Sequence, residues 1–398
     1  MDLIEYLVSK DSKGKIRTAV VSCEWDKDIK AYIIRRETSQ FGGKITKHPI
    51  IIVERGKVNR TVTEQSTLEF NSKVSNYLDK GYKKLTKSLD HYTKEDLLAL
   101  LPEETTDSAG NLKPMLAKDY NKVATSNIEK ILWYSSFKLD GVRMLMFYKD
   151  GEIHTSSRGG KNYDNSTYHI TTNDELKAFF KEHPDMILDG ELYVHGHSLQ
   201  ELSGLARLKK ETDRCDILQY HVYDIVDTNL TFEERMPILE EIKTKLNLPD
   251  YDPNISYENY TLQMQIVEHV PVKGWVNIKS LHDKSVAKGF EGIVLRDPSQ
   301  PYGINKRDKR MIKVKDYQEA EFEIIGYSDG LRPEDMVFKC KCGKKTFEAK
   351  PIGPRELKHE YLERMDEIIG KKATVKYFNY SAEGIPTQPV LKCIRDYE

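Results

Sequence analysis

Apolar and polar positions repeat with two periods along this chain, and the changes between them mark its elements. Residues 18–22, 30–34 and 49–53 alternate or run apolar like strands, with Gly42-Gly43 as a turn between the last two. A helix is predicted next: Thr61-x-x-Glu64 reads as a capping box, Phe70, Val74, Tyr77 and Leu78 fall on one helical face, and Gly81 stops it. Residues 1–90 therefore read as a small α+β domain. A short helix through residues 97–101 and a polar, turn-rich stretch over 102–111 make 91–112 a linker.

From 113 to 316 strands and helices alternate irregularly. A strand beginning near Trp133 ends at Lys138, and strands 142–148 and 153–156 form a hairpin across Asp150-Gly151. Helices are predicted over 173–181, 198–208 and 232–246. Residues 317–398 carry short strands at 322–327, 336–340, 346–350, 372–380 and 390–394, interrupted by a helix over 354–368. That pattern suits a partly open barrel of the OB type, a fold that commonly binds nucleic acid. The fold class is multidomain α+β: an antiparallel-sheet-rich middle domain, a C-terminal barrel and a small N-terminal domain.

Composition narrows the class. Of the 398 residues 38% are hydrophobic and 31% charged, which fits a folded, polar protein. The longest apolar runs are far too short for a membrane span, and Met1-Asp-Leu-Ile-Glu5 lacks the pattern of a secretory signal. The expectation is an intracellular, cytoplasmic protein, in host-cell cytoplasm for a virus or phage, with the nucleus left open, and a monomer. Cys23, Cys215, Cys340, Cys342 and Cys393 are expected as free thiols; Cys340 and Cys342 fall on a hairpin over 337–347 bent at Gly343. Net charge is −1, yet Lys306, Arg307, Lys309, Arg310, Lys313 and Lys315 face a single acid, Asp308, across ten residues.

Candidate chemistry gathers around Lys138-Leu-Asp-Gly-Val-Arg143. A lysine becomes a nucleophile only where its pKa is lowered by burial or nearby cations, and Gly141 beside it would let a phosphate approach the backbone. Further clusters follow. In Ser157-Arg158-Gly-Gly160 an arginine at a strand end can fork onto phosphate. In Asp189-Gly-Glu191 two acids interrupt an apolar strand and could hold a ribose hydroxyl or a metal. Tyr223-Asp224 offers a stacking platform or a core tyrosine. Gly289-Phe-Glu291-Gly292 puts a glutamate at the entry of an apolar strand, and Met311-Ile-Lys313-Val-Lys315 alternates so that both lysines share a face.

Taken in order, these strings resemble the nucleotidyltransferase motifs of ATP-dependent DNA ligases of phage and virus type, over about residues 113–398. The resemblance implies an ATP-grasp-like adenylation domain at 113–316 and an OB-fold domain at 317–398. It also implies that Lys138 attacks the α-phosphate of ATP to give lysyl-AMP, that AMP passes to a DNA 5′-phosphate, and that a 3′-hydroxyl then seals the nick in duplex DNA. By the same resemblance Lys313 and Lys315 contact the α-phosphate and Glu291 binds Mg²⁺, with Mn²⁺ as an alternative and Asp189 or Glu191 assisting. Glu191 holds the ribose, Tyr223 stacks on adenine, and Arg143 and Arg158 steer phosphates. DNA contact is expected from Arg158, Lys306, Arg307, Lys309 and Arg310.

Two departures stand out. Many members carry glutamate two residues before the lysine to read adenine, where this chain has Ser136. Near Gln388, where relatives usually have arginine, only Lys392 and Arg395 are candidates to orient pyrophosphate. The rival readings are an RNA ligase, a capping guanylyltransferase, or a non-catalytic nucleic-acid-binding relative. The N-terminal residues faintly resemble WGR-type DNA-binding domains, without the Trp-Gly-Arg tripeptide.

Overall fold

A computed structural model describes residues 2–11, 14–78, 80–101, 105–107, 109–328, 336–381 and 383–395. Parts of the expected 102–111 linker (102–104 and 108) and the last residues of the chain (396–398) lie outside these. Two compact units divide the chain, Met1–Val314 and Lys315–Glu398.

The first unit opens with a sheet. β1 (Leu3–Lys10), β2 (Ile16–Asp26), β3 (Ala31–Gln40), β4 (Thr46–Lys47) and β6 (Lys83–Lys84) lie in the order β4-β3-β2-β1-β6, and β5 (Ile51–Val53) pairs with β3. α1 (Val62–Leu78) covers one face, burying Phe70, Val74 and Tyr77 against Leu7, Ala19, Val21 and Ile34. Its capping box is made as expected: Thr61 Oγ1 accepts from Glu64 N, and Glu64 accepts from Thr61 N. β1 was not anticipated. α2 (Lys94–Leu100) corrects the linker expectation, because Leu97 is fully buried among Val8, Ile16, Leu85 and Leu101. It is a layer of the N-terminal sheet.

The rest of this unit adds β7 (Leu116–Asp119), α3 (Thr125–Lys130), β8 (Trp133–Lys138), β9 (Val142–Lys149), β10 (Glu152–Ser157), α4 (Tyr168–Thr171) and α5 (Asp174–Glu182). Then come β11 (Ile187–Tyr193), α6 (Leu199–Ala206), β12 (Gln219–Ile225), α7 (Phe232–Lys245), β13 (Met264–Ile266), β14 (Val270–Val272), α8 (Trp275–Ala287), β15 (Gly292–Arg296) and β16 (Arg307–Val314). They build two five-stranded sheets, β10-β9-β11-β12-β13 and β14-β8-β15-β16-β7, largely antiparallel. The Asp150-Gly151 turn has both residues at positive φ, the conformation a tight hairpin requires. Inward-facing Leu188, Gly190 and Leu192 of β11 meet Met144, Met146, Tyr220 and Val222. Its odd positions, Asp189 and Glu191, are thereby turned to the other face.

The second unit is a barrel of β17 (Gln318–Ser328), β18 (Val337–Cys342), β19 (Lys345–Pro351), β20 (Lys372–Tyr377) and β21 (Val390–Ile394). It closes in the order β17-β18-β19-β21-β20 and is not partly open. The expected single helix is two, α9 (Arg355–Glu363) and α10 (Met365–Ile368), broken at Arg364. All five cysteines are free thiols, and Gly343 bends the β18–β19 hairpin at positive φ.

Candidate active site

Lys138 is the last residue of β8, and strand pairing sets its neighbours. On antiparallel β15, Gly292 stands opposite Lys138 and Val294 opposite Ser136, and the Glu291 amide donates to the Lys138 carbonyl at 3.1 Å. The ladder thus brings two residues 153 positions apart side by side, and Lys138 Nζ donates to Glu291 Oε2. The glutamate side chain is 3% exposed and that of the lysine 22%, so the carboxylate is enclosed while the amine keeps an open side. On β16, Lys313 stands opposite Val294, which places Lys313, Ser136 and Lys138 on one face of the sheet.

Gly141 has a different task from the expected one. A Cβ there would clash with the Leu192 carbonyl oxygen and come within 2.7 Å of Glu191 Cγ. The glycine is what lets the loop after Lys138 lie against β11, beside the acids.

Those acids have separate partners. Arg143, opposite Glu191 on β9, donates from Nε to Asp189 Oδ1 at 2.6 Å and from Nη2 to Oδ2 at 2.5 Å. Tyr302 Oη donates to Asp189 Oδ2 at 2.6 Å. Asp189, 1% exposed, is therefore engaged in holding Arg143, which argues against its expected assistance with a metal. Glu191 accepts from Tyr223 Oη at 3.2 Å. Burial pushes its carboxyl up to about 7, against the opposing pull of the Arg143 and Lys138 charges. The Tyr223 ring is nearly enclosed, with the Arg143 and Arg296 guanidiniums 4.9 and 5.0 Å from its centre. A purine stacking on this ring would have to share it with a guanidinium.

Around these residues lies an ionic cluster that the sequence reading did not assign. Arg235, 2% exposed, holds Asp224 through Nε at 2.7 Å and Nη2 at 3.0 Å. Arg296 Nη1 donates to Ser136 Oγ at 3.1 Å, so the hydroxyl two residues before the lysine has a buried cationic partner. The signal was present: Arg296 closes the otherwise apolar Gly292–Arg296 strand, and a charge there needs a buried partner.

The other expected site residues are distributed as follows. Partial burial, then repulsion from Arg307 and Arg143, holds the Arg158 guanidinium below its ordinary value. Lys306, Arg307 and Lys309 are exposed, and Arg307–Val314 forms a strand longer than the 311–315 expected. In the barrel unit, Lys315 is 2% exposed, its Nζ 4.2 Å from the Phe378 ring centre and 3.2 Å from Gln388 Oε1. It lies past the end of β16, so the expected alternation reaches Lys313 alone within the strand. Lys392 donates to Glu319 at 2.9 and 3.0 Å, and Arg395 pairs with Glu321 at 3.0 Å. Partly exposed pairs of this kind are worth about 0–1 kcal/mol and exchange readily for another anion.

The family model described as "ATP dependent DNA ligase domain" matches residues 114–315. A DNA ligase of African swine fever virus (isolate Warthog/Namibia/Wart80/1980) is 26% identical over 304 residues, covering 71% of this chain and 68% of the viral one. A DNA ligase of Haemophilus influenzae is 27% identical over 198 residues, covering 50% of this chain and 63% of its own. Among solved structures, a Lig E DNA ligase superposes with a TM-score of 0.54 at 19% identity, covering 71% of this chain and 99% of that one. At that identity the likeness speaks for the fold.

Proposed function

We propose that this chain, which belongs to the ATP-dependent DNA ligase family, performs its chemistry through Lys138, with Glu291, Glu191, Arg143 and Lys313 in supporting roles. It is a DNA ligase that consumes ATP, and the RNA-ligase and guanylyltransferase readings are not favoured, since the family model and the curated relatives are DNA ligases. The observation that carries the assignment of the nucleophile is the Lys138–Glu291 hydrogen bond at the junction of β8 and β15.

In the first step Lys138 gives its proton to water on its open side and its nitrogen attacks the α-phosphorus. An N–P bond forms, the α–β bridging P–O bond breaks, and pyrophosphate leaves with the electron pair. In the second, a DNA 5′-phosphate oxygen displaces the lysine nitrogen from that phosphorus. In the third, the 3′-hydroxyl attacks the activated 5′-phosphate, its proton leaves, and AMP departs. All three are displacements at phosphorus, so the residues' work is orientation and charge neutralisation. Lys313, on the face of Lys138, supports contact with the α-phosphate. Glu191 and Tyr223 support binding of the ribose and base. Asp189 and Tyr302 fix Arg143, which with Arg158 and Arg307 receives phosphates. Lys315, Lys392 and Arg395 belong to the proposal through the family motifs they match.

Mg²⁺ fits the donor set, because Glu291 offers an enclosed hard oxygen ligand and nucleotide phosphates and water supply the remainder. When bound it would supply countercharge at the phosphates. Asp189, whose two oxygens both accept from Arg143 and one also from Tyr302, is left out of this assignment. The basic run Lys306, Arg307, Lys309 and Arg310 is proposed to meet DNA phosphates. We also propose a monomer acting in the cytoplasm; no described helix is long and apolar enough to cross a membrane. Incubation of nicked duplex DNA or nicked RNA with either ATP or GTP tests the reading: sealing of DNA with ATP supports it, and sealing of nicked RNA alone, or only with GTP, would refute it.

A further inference from the structure

The N-terminal sheet carries a cationic site that the ligation chemistry does not use. α1 covers the part of the sheet bearing Tyr32 and Ile34, and the next residue of β3 on that face is Arg36. Tyr77, at the end of the helix that packs on Tyr32 and Ile34, is 6% exposed, and Lys80 Nζ lies 5.8 Å from the Tyr77 ring centre. His48 is tied to the same strand: its amide donates to the Arg36 carbonyl at 3.0 Å, and its Nε2 lies 2.9 Å from Thr38 Oγ1. Burial, followed by the charges of Arg36 and Lys80, holds this imidazole below its ordinary value, so the groups are close enough to interact.

Two polar atoms in this cluster are buried and lack a hydrogen-bond partner among the described residues, Arg36 Nε and Tyr77 Oη. The Arg36 guanidinium donates from Nη2 to the Pro49 carbonyl at 3.3 Å. Neither Arg36 nor Lys80 forms an ion pair among the described residues, although Arg35 and Lys47 nearby are paired with Glu24 and Glu37. A buried donor without a partner is destabilising, and a ligand that supplies an acceptor relieves the cost. Two cations and a hydroxyl without an acidic partner among the described residues match an oxyanion with several acceptor oxygens.

We propose that Arg36, Tyr77 and Lys80 form a phosphate-binding site that takes a backbone phosphodiester of duplex DNA, separate from the adenylation site. The choice of DNA rests on the ligase reading above, and the charge distribution agrees with it. Residues 1–90 hold 18 Lys and Arg against 12 Asp and Glu, whereas the whole chain is at −1. A surplus gathered in one part of the chain is the footprint of a polyanionic partner. Free phosphate has the same oxygens and is the competing source.

The test uses the full chain, with Arg36→Ala/Lys80→Ala and Tyr77→Phe, and reads binding of a nicked duplex with a blocked 3′ end by fluorescence anisotropy across a salt series. Each phosphate contact contributes about −0.9 to the slope of log K against log salt. The double variant is expected to lose a slope of about 1, with roughly tenfold weaker binding at low salt. Both variants should form the labelled AMP adduct at the parent rate and keep the parent's circular-dichroism spectrum and melting temperature, which certifies the folding of the N-terminal sheet as well. Unchanged slope and affinity in the double variant would overturn the proposal. So would millimolar inorganic phosphate raising the melting temperature of the parent but not of the double variant while the DNA slope stays the same, since the site would then serve a free anion. Absence of the adduct from the parent would count against the Lys138 reading, and the salt slope would still test this site by itself.

Discussion

Asp189 is engaged twice over, by the fork of Arg143 and by the hydroxyl of Tyr302. Removing its charge with Asp189→Asn strands a largely buried guanidinium, a change that costs roughly 3–5 kcal/mol. The variant should unfold at clearly lower denaturant and lose adenylation. Tyr302→Phe removes one hydrogen bond to Asp189 and one from the Met115 amide, and should cost about 1–2 kcal/mol while keeping measurable activity. Glu191 gives a pH signature. Its folded carboxyl titrates at about 7, above its ordinary value of 4.5, so between those values the folded state binds more protons than the unfolded one. The stability contributed by this group therefore falls as pH rises through that window. Glu191→Gln lacks the effect, so its melting temperature relative to the parent should be higher at pH 8 than at pH 5. A pH-independent difference would show that Glu191 is not raised. At this scale Lys138, Glu191, Glu291 and Lys313 were legible because their strings are short and local. Arg235 was not, since charges read along a chain are assumed to face solvent; Arg296 was signalled by its apolar strand, but its partners were not, because only the fold brings positions 224, 235 and 296 together.

The loop from Lys138 to Gly141 connects the two central sheets, and its close approach to β11 depends on the missing Cβ at Gly141. Gly141→Ala should push the loop off Leu192 and reduce adenylation at least tenfold, more than the accompanying drop in melting temperature would account for. Ordinary adenylation in this variant would show that the contact is dispensable. Barrel strands were legible because they alternate over one closed core, and the helices over 173–181 and 232–246 because caps and apolar faces agree. α8 was missed: its buried residues are Ile278, His282 and Ser285, and two polar members hide the apolar stripe. β1 was missed because Leu3–Lys10 mixes apolar and polar residues without clear alternation, and its pairing with β2 is long-range. The break at Arg364 likewise follows from packing over the barrel and has no glycine or proline to announce it.

For the whole molecule, a net charge of −1 conceals opposite tendencies in different parts of the chain. Binding of nicked DNA should weaken linearly in log salt, while self-adenylation, which involves no DNA, should change little over the same range. Equal salt dependence of the two would contradict the assignment of DNA contacts to surfaces beyond the nucleotide site. Everything else depends on the covalent step. The most direct measurement is a denaturing gel of the protein incubated with ATP labelled in its α-phosphate. The parent should carry a labelled band that pyrophosphate discharges, and Lys138→Arg, which keeps a cation beside Glu291, should carry none. A labelled band of parental intensity in the arginine variant would contradict the assignment of Lys138 as the nucleophile.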